Sequence, residues 1–132
     1  PDIGVFTDFL YLMAWSHLII GDSVSFKEFQ KRTQELIIEK DLSHTWHNEY
    51  LKAFQVDEAL FNREWHQAIS EYRKFSNNPA GQLFREFFIN KKCEAEFHLM
   101  KYDHALITAK KMVSPDQDPG TFTFNRPFGY YW

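Results

Sequence analysis

Apolar residues recur at helical spacing along most of this chain, and short polar or turn-forming stretches punctuate them. The first such run extends from Phe6 to Ile20. Phe6, Phe9, Leu10, Met13, Trp15, Leu18, Ile19 and Ile20 place apolar groups around most of a helix, which predicts burial on more than one side. Gly21 is a natural stop for it. Ser25 and Glu28 have the S-x-x-E spacing of a capping box and open a second helix. Phe26, Phe29, Thr33, Leu36 and Ile37 form its inner face, and it ends near Lys40. Ser43 is a good N-cap for a third helix from His44 to Asn62, with Trp46, Tyr50, Phe54, Leu60 and Phe61 inward. A fourth runs from Trp65 to Phe75 and is closed by Ser76-Asn77-Asn78-Pro79, because proline forces its predecessor out of helical geometry. A fifth spans Ala80 to Met100, with Leu83, Phe84, Phe87, Phe88, Cys93 and Phe97 on a broad apolar face. A sixth spans Tyr102 to Val113 and is closed by Ser114-Pro115.

Beyond Pro115 the pattern changes. Residues 116–120 are turn-rich, and Thr121-Phe122-Thr123-Phe124 alternates like a short strand. The expected architecture is all-α, with about six helices in antiparallel hairpins stacked as a short solenoid or bundle. Residues 1–115 form this domain, and residues 116–132 are an extended aromatic tail.

Two of the hairpins share a pattern. Ala68 and Ala105 lie 37 residues apart (105 − 68 = 37), each three positions after an aromatic residue, Trp65 and Tyr102. A small side chain lets two helices cross closely, and a neighbouring ring fills the gap. Cys93 falls twelve positions before Ala105 and Val56 twelve before Ala68, while Pro79 and Pro115 close the two units. In these features the stretch from Leu51 to Met112 resembles tetratricopeptide repeats, helix pairs that recur about every 34 residues. Arg63 and Met100 stand where that family places a glycine between its helices. The resemblance implies stacked hairpins and a groove that takes a peptide or helix. The hairpin from Phe6 to Lys40 would be a third layer. The N-terminal stretch also resembles TerB-like helical domains in Leu10-Tyr11-Leu12-Met13-Ala14, Gly21-Asp22 and Glu28, a likeness that transfers no function.

Length and composition narrow the range of functions. At 132 residues the chain makes one domain with a real core. Aromatics reach 18%, with 14 phenylalanines, so rings can fill the core or meet a partner. A net charge of −3 argues against a dedicated nucleic-acid binder. Lys91-Lys92 and Lys110-Lys111 read as solvated helix faces. The single Cys93 rules out an internal disulfide and fits a reducing compartment. No apolar run reaches the roughly 20 residues that span a bilayer, and no secretory signal is visible, so a cytoplasmic location is expected. Pro1 implies a lost Met or a cut from something longer.

Candidate chemistry is sparse. Gly21 to Phe29 superficially resembles the back half of an EF-hand loop. That register puts His17 and Ile19 at ligand positions that need oxygen, so the capping box explains the same letters better. His44 and His47 share a helix face and would need a third metal ligand such as Glu49 or Glu58, which the sequence does not place. Cys93 sits mid-helix on an apolar face and reads as a structural thiol. There is no phosphate loop, nucleophile elbow or carboxylate cluster. No catalytic, cofactor-binding or metal-binding residue is assigned. The leading expectation is a protein–protein interaction module, an adaptor or scaffold that binds a peptide or helix. The alternatives are a small inhibitor or immunity-type protein that blocks a partner, and a metal-dependent helical enzyme. Candidate partner-binding residues are Phe122, Phe124, Phe128, Tyr130, Tyr131 and Trp132, too many rings to leave in water. They are expected to pack on the chain's own helices, a second copy or another protein. Ala68, Ala105, Trp65, Tyr102 and Cys93 are expected at helix crossings.

Overall fold

The computed structural model describes residues 3–112, and these form seven α-helices, one short 3-10 turn and no strand. The helices are α1 (Ile3–Ile19), α2 (Ser23–Glu39), α3 (Glu49–Phe61), α4 (Trp65–Tyr72), α5 (Pro79–Phe87), α6 (Ile89–His98) and α7 (Tyr102–Met112). The 3-10 turn, Trp46–Asn48, leads into α3. The all-α architecture follows the helical period of the sequence. The tail lies outside the described residues.

Three antiparallel hairpins make the stack: α1 on α2, α3 on α4, and α6 on α7. They share one turn. In the second hairpin the N–H groups of Asn62, Arg63, Glu64 and Ala68 donate to the carbonyls of Glu58, Leu60, Ala59 and Glu64. In the third, Leu99, Met100, Lys101 and Ala105 donate to Ala95, Phe97, Glu96 and Lys101, so every partner has moved by 37 positions (100 − 63 = 37). In the first, Ile20, Gly21, Asp22 and Phe26 repeat the pattern 42 positions earlier (63 − 21 = 42). The crossed pair of bonds is a Schellman closure, which needs one left-handed residue. Gly21 supplies it at φ 86°, and Arg63 and Met100 supply it at 59° and 61°. Those two side chains stand where the tetratricopeptide pattern has glycine.

The shared turn also aligns the packing. Ala14, Val56 and Cys93 occupy equivalent places on the first helices of the hairpins, and all three are buried. Phe26, Ala68 and Ala105 occupy equivalent places on the second helices and are buried too. The Cys93 thiol donates to the Ala105 carbonyl at 3.4 Å, which fixes the close approach of α6 and α7.

Several elements differ from the sequence expectation. Asp22, rather than Ser25, caps α2: its carboxylate accepts from the Ser25 N–H at 3.0 Å, and hydrogen bonds from Ser25 hold it below the usual carboxylate range. Ser43 does not cap α3, because the 3-10 turn precedes that helix. Pro79 begins α5 instead of merely ending α4; its missing N–H costs nothing at a first helical position. The expected fifth helix is two, α5 and α6, broken at Phe88. Helix α1 buries only one face, formed by Thr7, Leu10, Tyr11, Ala14 and Leu18. Phe6, Phe9, Leu12, Trp15, Ile19 and Ile20 are exposed.

The main core lies between α1, α2, α3 and the α4–α5 region. Phe26, Phe54 and Phe75 are its largest fully buried side chains, each contributing about 1.5–3 kcal/mol through removal from water.

Candidate docking groove

Helix α5 has no counterpart in the other hairpins. It is inserted between the second and the third, and its position is strongly determined. Asn78 caps it by accepting from the Gly81 N–H at 2.9 Å. Gly81 presses on the segment that follows α4 so closely that a Cβ built there would lie 1.7 Å from the Ser76 carbonyl oxygen. Arg85 donates to the carbonyls of Ser76, at 2.8 Å, and Phe75, while its own carbonyl accepts from the Tyr72 hydroxyl at 2.6 Å. Glu49, buried at the start of α3, accepts from the Ser76 N–H at 2.6 Å and from Lys52 at 2.6 Å. Charge-assisted bonds of this kind are the stronger class of hydrogen bond.

So anchored, α5 stands apart from α1 and leaves an open groove of about 690 Å³ between them. Tyr11, Tyr50, Phe84 and Phe88 line it at depth, with ring centroids 5.0 Å apart for Tyr50 and Phe84 and 5.2 Å for Tyr11 and Tyr50. Leu12 lines it from α1, Leu83 and Phe87 from α5, and Trp46 from the 3-10 turn. Leu12, Trp46 and Leu83 are 56%, 40% and 44% exposed, so this apolar surface faces solvent. Asp8 is the groove's carboxylate and accepts from the Tyr50 hydroxyl. Burial and then that bond push the Tyr50 phenol far above its usual range.

Tyr11, on the groove's floor, also belongs to a polar triad whose other members, Asp57 and Lys91, line a second pocket beside Trp15. The Tyr11 hydroxyl donates to Asp57, and Lys91 donates both to Asp57 and, at 3.0 Å, to the Tyr11 oxygen. The Asp57 side chain is 3% exposed and that of Lys91 12%. The Lys91 ammonium also lies 4.9 Å from the Phe88 ring centroid. Burial first, then the Asp57 charge, holds the Tyr11 phenol well above its usual range. The ion pair and the hydrogen bonds satisfy one another, so the triad holds α1, α3 and α6 together.

The residues singled out from sequence divide cleanly. Ala68 and Ala105 are buried at hairpin contacts, and Cys93 is fully buried. Burial pushes the Cys93 thiol up to about 11, away from reactivity. Trp65 packs beside Ala68 and stacks on His98 of α6 at 4.1 Å. Tyr102 is 55% exposed and makes an edge contact with Phe97. His44 is exposed and His47 is buried, so the pair does not share an open face. Among the described residues no group of three His, Cys, Asp or Glu side chains is placed to hold a metal, and no helix is long and apolar enough to cross a membrane. Phe122, Phe124, Phe128, Tyr130, Tyr131 and Trp132 lie outside the described residues. The groove residues Asp8, Leu12, Trp46, Leu83 and Phe87 were not predicted as a site. The available signal was the excess of apolar positions on the first and fifth predicted helices over what one face can bury. No family model matches the chain, and neither do the curated proteins or solved structures with which it was compared.

Proposed function

We propose that this protein is a protein–protein interaction module built on tetratricopeptide-like hairpins, and that it takes an apolar segment of a partner into the groove between α1 and α5. The observation that carries the reading is the groove itself: an anchored, aromatic-floored cleft whose walls Leu12, Trp46 and Leu83 stay in water. Such a cleft suits large side chains at i and i+3 or i+4 of a partner helix, the helix-in-groove mode of recognition. Asp8 supplies one negative group for a basic residue beside those anchors. The recurrence of the same turn and the same buried positions supports the repeat reading.

The test is selection of displayed peptides on the full chain, followed by measurement of each selected peptide on Leu83→Glu. Leu83 is partly exposed, so the variant keeps its fold, which circular dichroism checks. The expected result is a family of peptides with paired apolar anchors whose affinity falls about tenfold or more in the variant, as for loss of an interface anchor. Peptides that bind both proteins equally would overturn the groove as the docking site.

A further inference from the structure

The pocket beside Trp15 differs in chemistry from the α1–α5 groove. It measures about 390 Å³, within the range of small-ligand sites, and shares no lining residue with the groove. Trp15 and Ile19 of α1 and Leu60 and Phe61 of α3 give it apolar walls. Asn90, Lys91 and Glu94 of α6 line it too, with Asp57. These polar groups are unevenly satisfied. Asp57 and Lys91 bond to each other and to Tyr11, so their charges cancel. The Asn90 Oδ1 is buried yet accepts no hydrogen bond among the described residues. An acceptor shut off from water without a donor is costly and rare. Glu94 lies four positions on, so it shares the Asn90 face of α6. Its carboxylate has no hydrogen bond or ion pair among the described residues. Burial, first, raises that carboxyl above its ordinary range, against the pull of His98 and Lys91.

We propose that this pocket binds a small organic cation, a primary ammonium carried on an apolar body. Helix α6 offers the pocket two unmet acceptors, Asn90 Oδ1 and the Glu94 carboxylate, and one uncancelled negative charge. An ammonium has three donors and no acceptor, so it serves both at once and balances the charge. A neutral hydroxyl would leave the charge of Glu94 unanswered, and an anion would be repelled by it. A metal ion is a poorer fit. Among the described residues no three His, Cys, Asp or Glu side chains are placed to hold one, and Lys91 stands beside the two carboxylates. The apolar body of the ligand lies against Trp15, Ile19 and Phe61, all of them otherwise exposed. The Trp15 ring adds its face to the attraction, as it does for the Lys91 ammonium at 5.9 Å.

Heteronuclear NMR titration of the full chain tests this, with 2-phenylethylamine as the probe and 3-phenylpropionate as its charge-reversed counterpart. The amine should shift the Trp15 indole and the amides around Asn90 and Glu94 saturably, and the carboxylate should shift neither. Glu94→Gln keeps the size of the side chain and should weaken the amine about tenfold or more. Asn90→Ala should weaken it as well, and serves if Glu94→Gln perturbs the helices; circular dichroism checks both. Leu83→Glu, in the other groove, should bind the amine as the wild type does. Equal shifts with amine and carboxylate would overturn the proposal. So would an affinity that survives both α6 substitutions, or no saturable shift at Trp15. Tighter binding of Nα-acetyl-lysine methylamide than of the phenyl amine would also overturn it, and assign the pocket to a lysine side chain of a partner.

Discussion

Gly81 has no room for a side chain. A Cβ there would meet the carbonyl oxygen of Ser76, a backbone atom that cannot swing aside. Gly81→Ala should therefore cost about 3 kcal/mol, the upper part of the usual range for overpacking, in urea unfolding at equilibrium. The same substitution should tilt α5 and weaken peptides selected on the groove. Burial sets a second expectation. Tyr11 and Tyr72 have phenols held above the usual range, chiefly by burial, and Cys93 rises from 9.0 to about 11. Each group keeps its proton longer when folded than when unfolded. Its contribution is therefore complete below the unfolded value and is lost as pH rises through the folded one. Stability should start to fall above about pH 9 as Cys93 titrates in the unfolded chain, and fall more steeply beyond about pH 10 as the tyrosines follow. Thermal unfolding across that range checks it, and Cys93→Ala should remove the earlier part of the decline.

At the scale of elements, the hairpin turns carry strain in two of three cases. Arg63 and Met100 hold left-handed backbone where Gly21 does so freely. The left-handed conformation costs an ordinary residue about 1–2 kcal/mol, part of which glycine gives back as unfolded-state entropy. Arg63→Gly and Met100→Gly should each raise stability by about 0.5–1 kcal/mol, measured by chemical denaturation, because both side chains are exposed. Helix starts near Trp65 and Tyr102 and the hairpin order were legible in the sequence, because periodic apolar positions bounded by polar ones have one physical meaning. The break at Phe88 was not. Phe87-Phe88-Ile89 contains no glycine or proline, and the interruption falls where α5, tied by Arg85 to Tyr72 and the segment after α4, gives way to α6, which packs on α4. The exposed face of α1 was also hidden, since periodicity says which residues are apolar but not what covers them. Phe6, Phe9 and Trp15 read as core for that reason.

For the molecule as a whole, the Tyr11, Asp57 and Lys91 triad joins all three hairpins through one buried carboxylate. Its members lie 46 and 34 residues from Asp57, so it closes long loops. Removing one partner of a buried pair strands the other in a poor solvent. Lys91→Met should therefore cost about 3–5 kcal/mol, and replacing Asp57 and Lys91 together with apolar residues of similar size should cost much less. Equilibrium unfolding of the single and double variants gives the coupling directly. A single variant as stable as the wild type would mean that the hairpins hold together without the triad.

The anchoring of α5 has a consequence for how recognition can change. Its fixed points, Asn78, Gly81 and Arg85, bond or press on the segment that follows α4, while Ala80, Leu83 and Phe87 line the groove's wall above Phe84. Anchoring and groove-lining positions thus interleave along one nine-residue helix and its cap. The three hairpins supply the framework, and under the proposed function α5 would be an exchangeable cassette on it. Randomising Ala80, Leu83 and Phe87 together offers a library whose members would differ in ligand preference yet inherit a common scaffold.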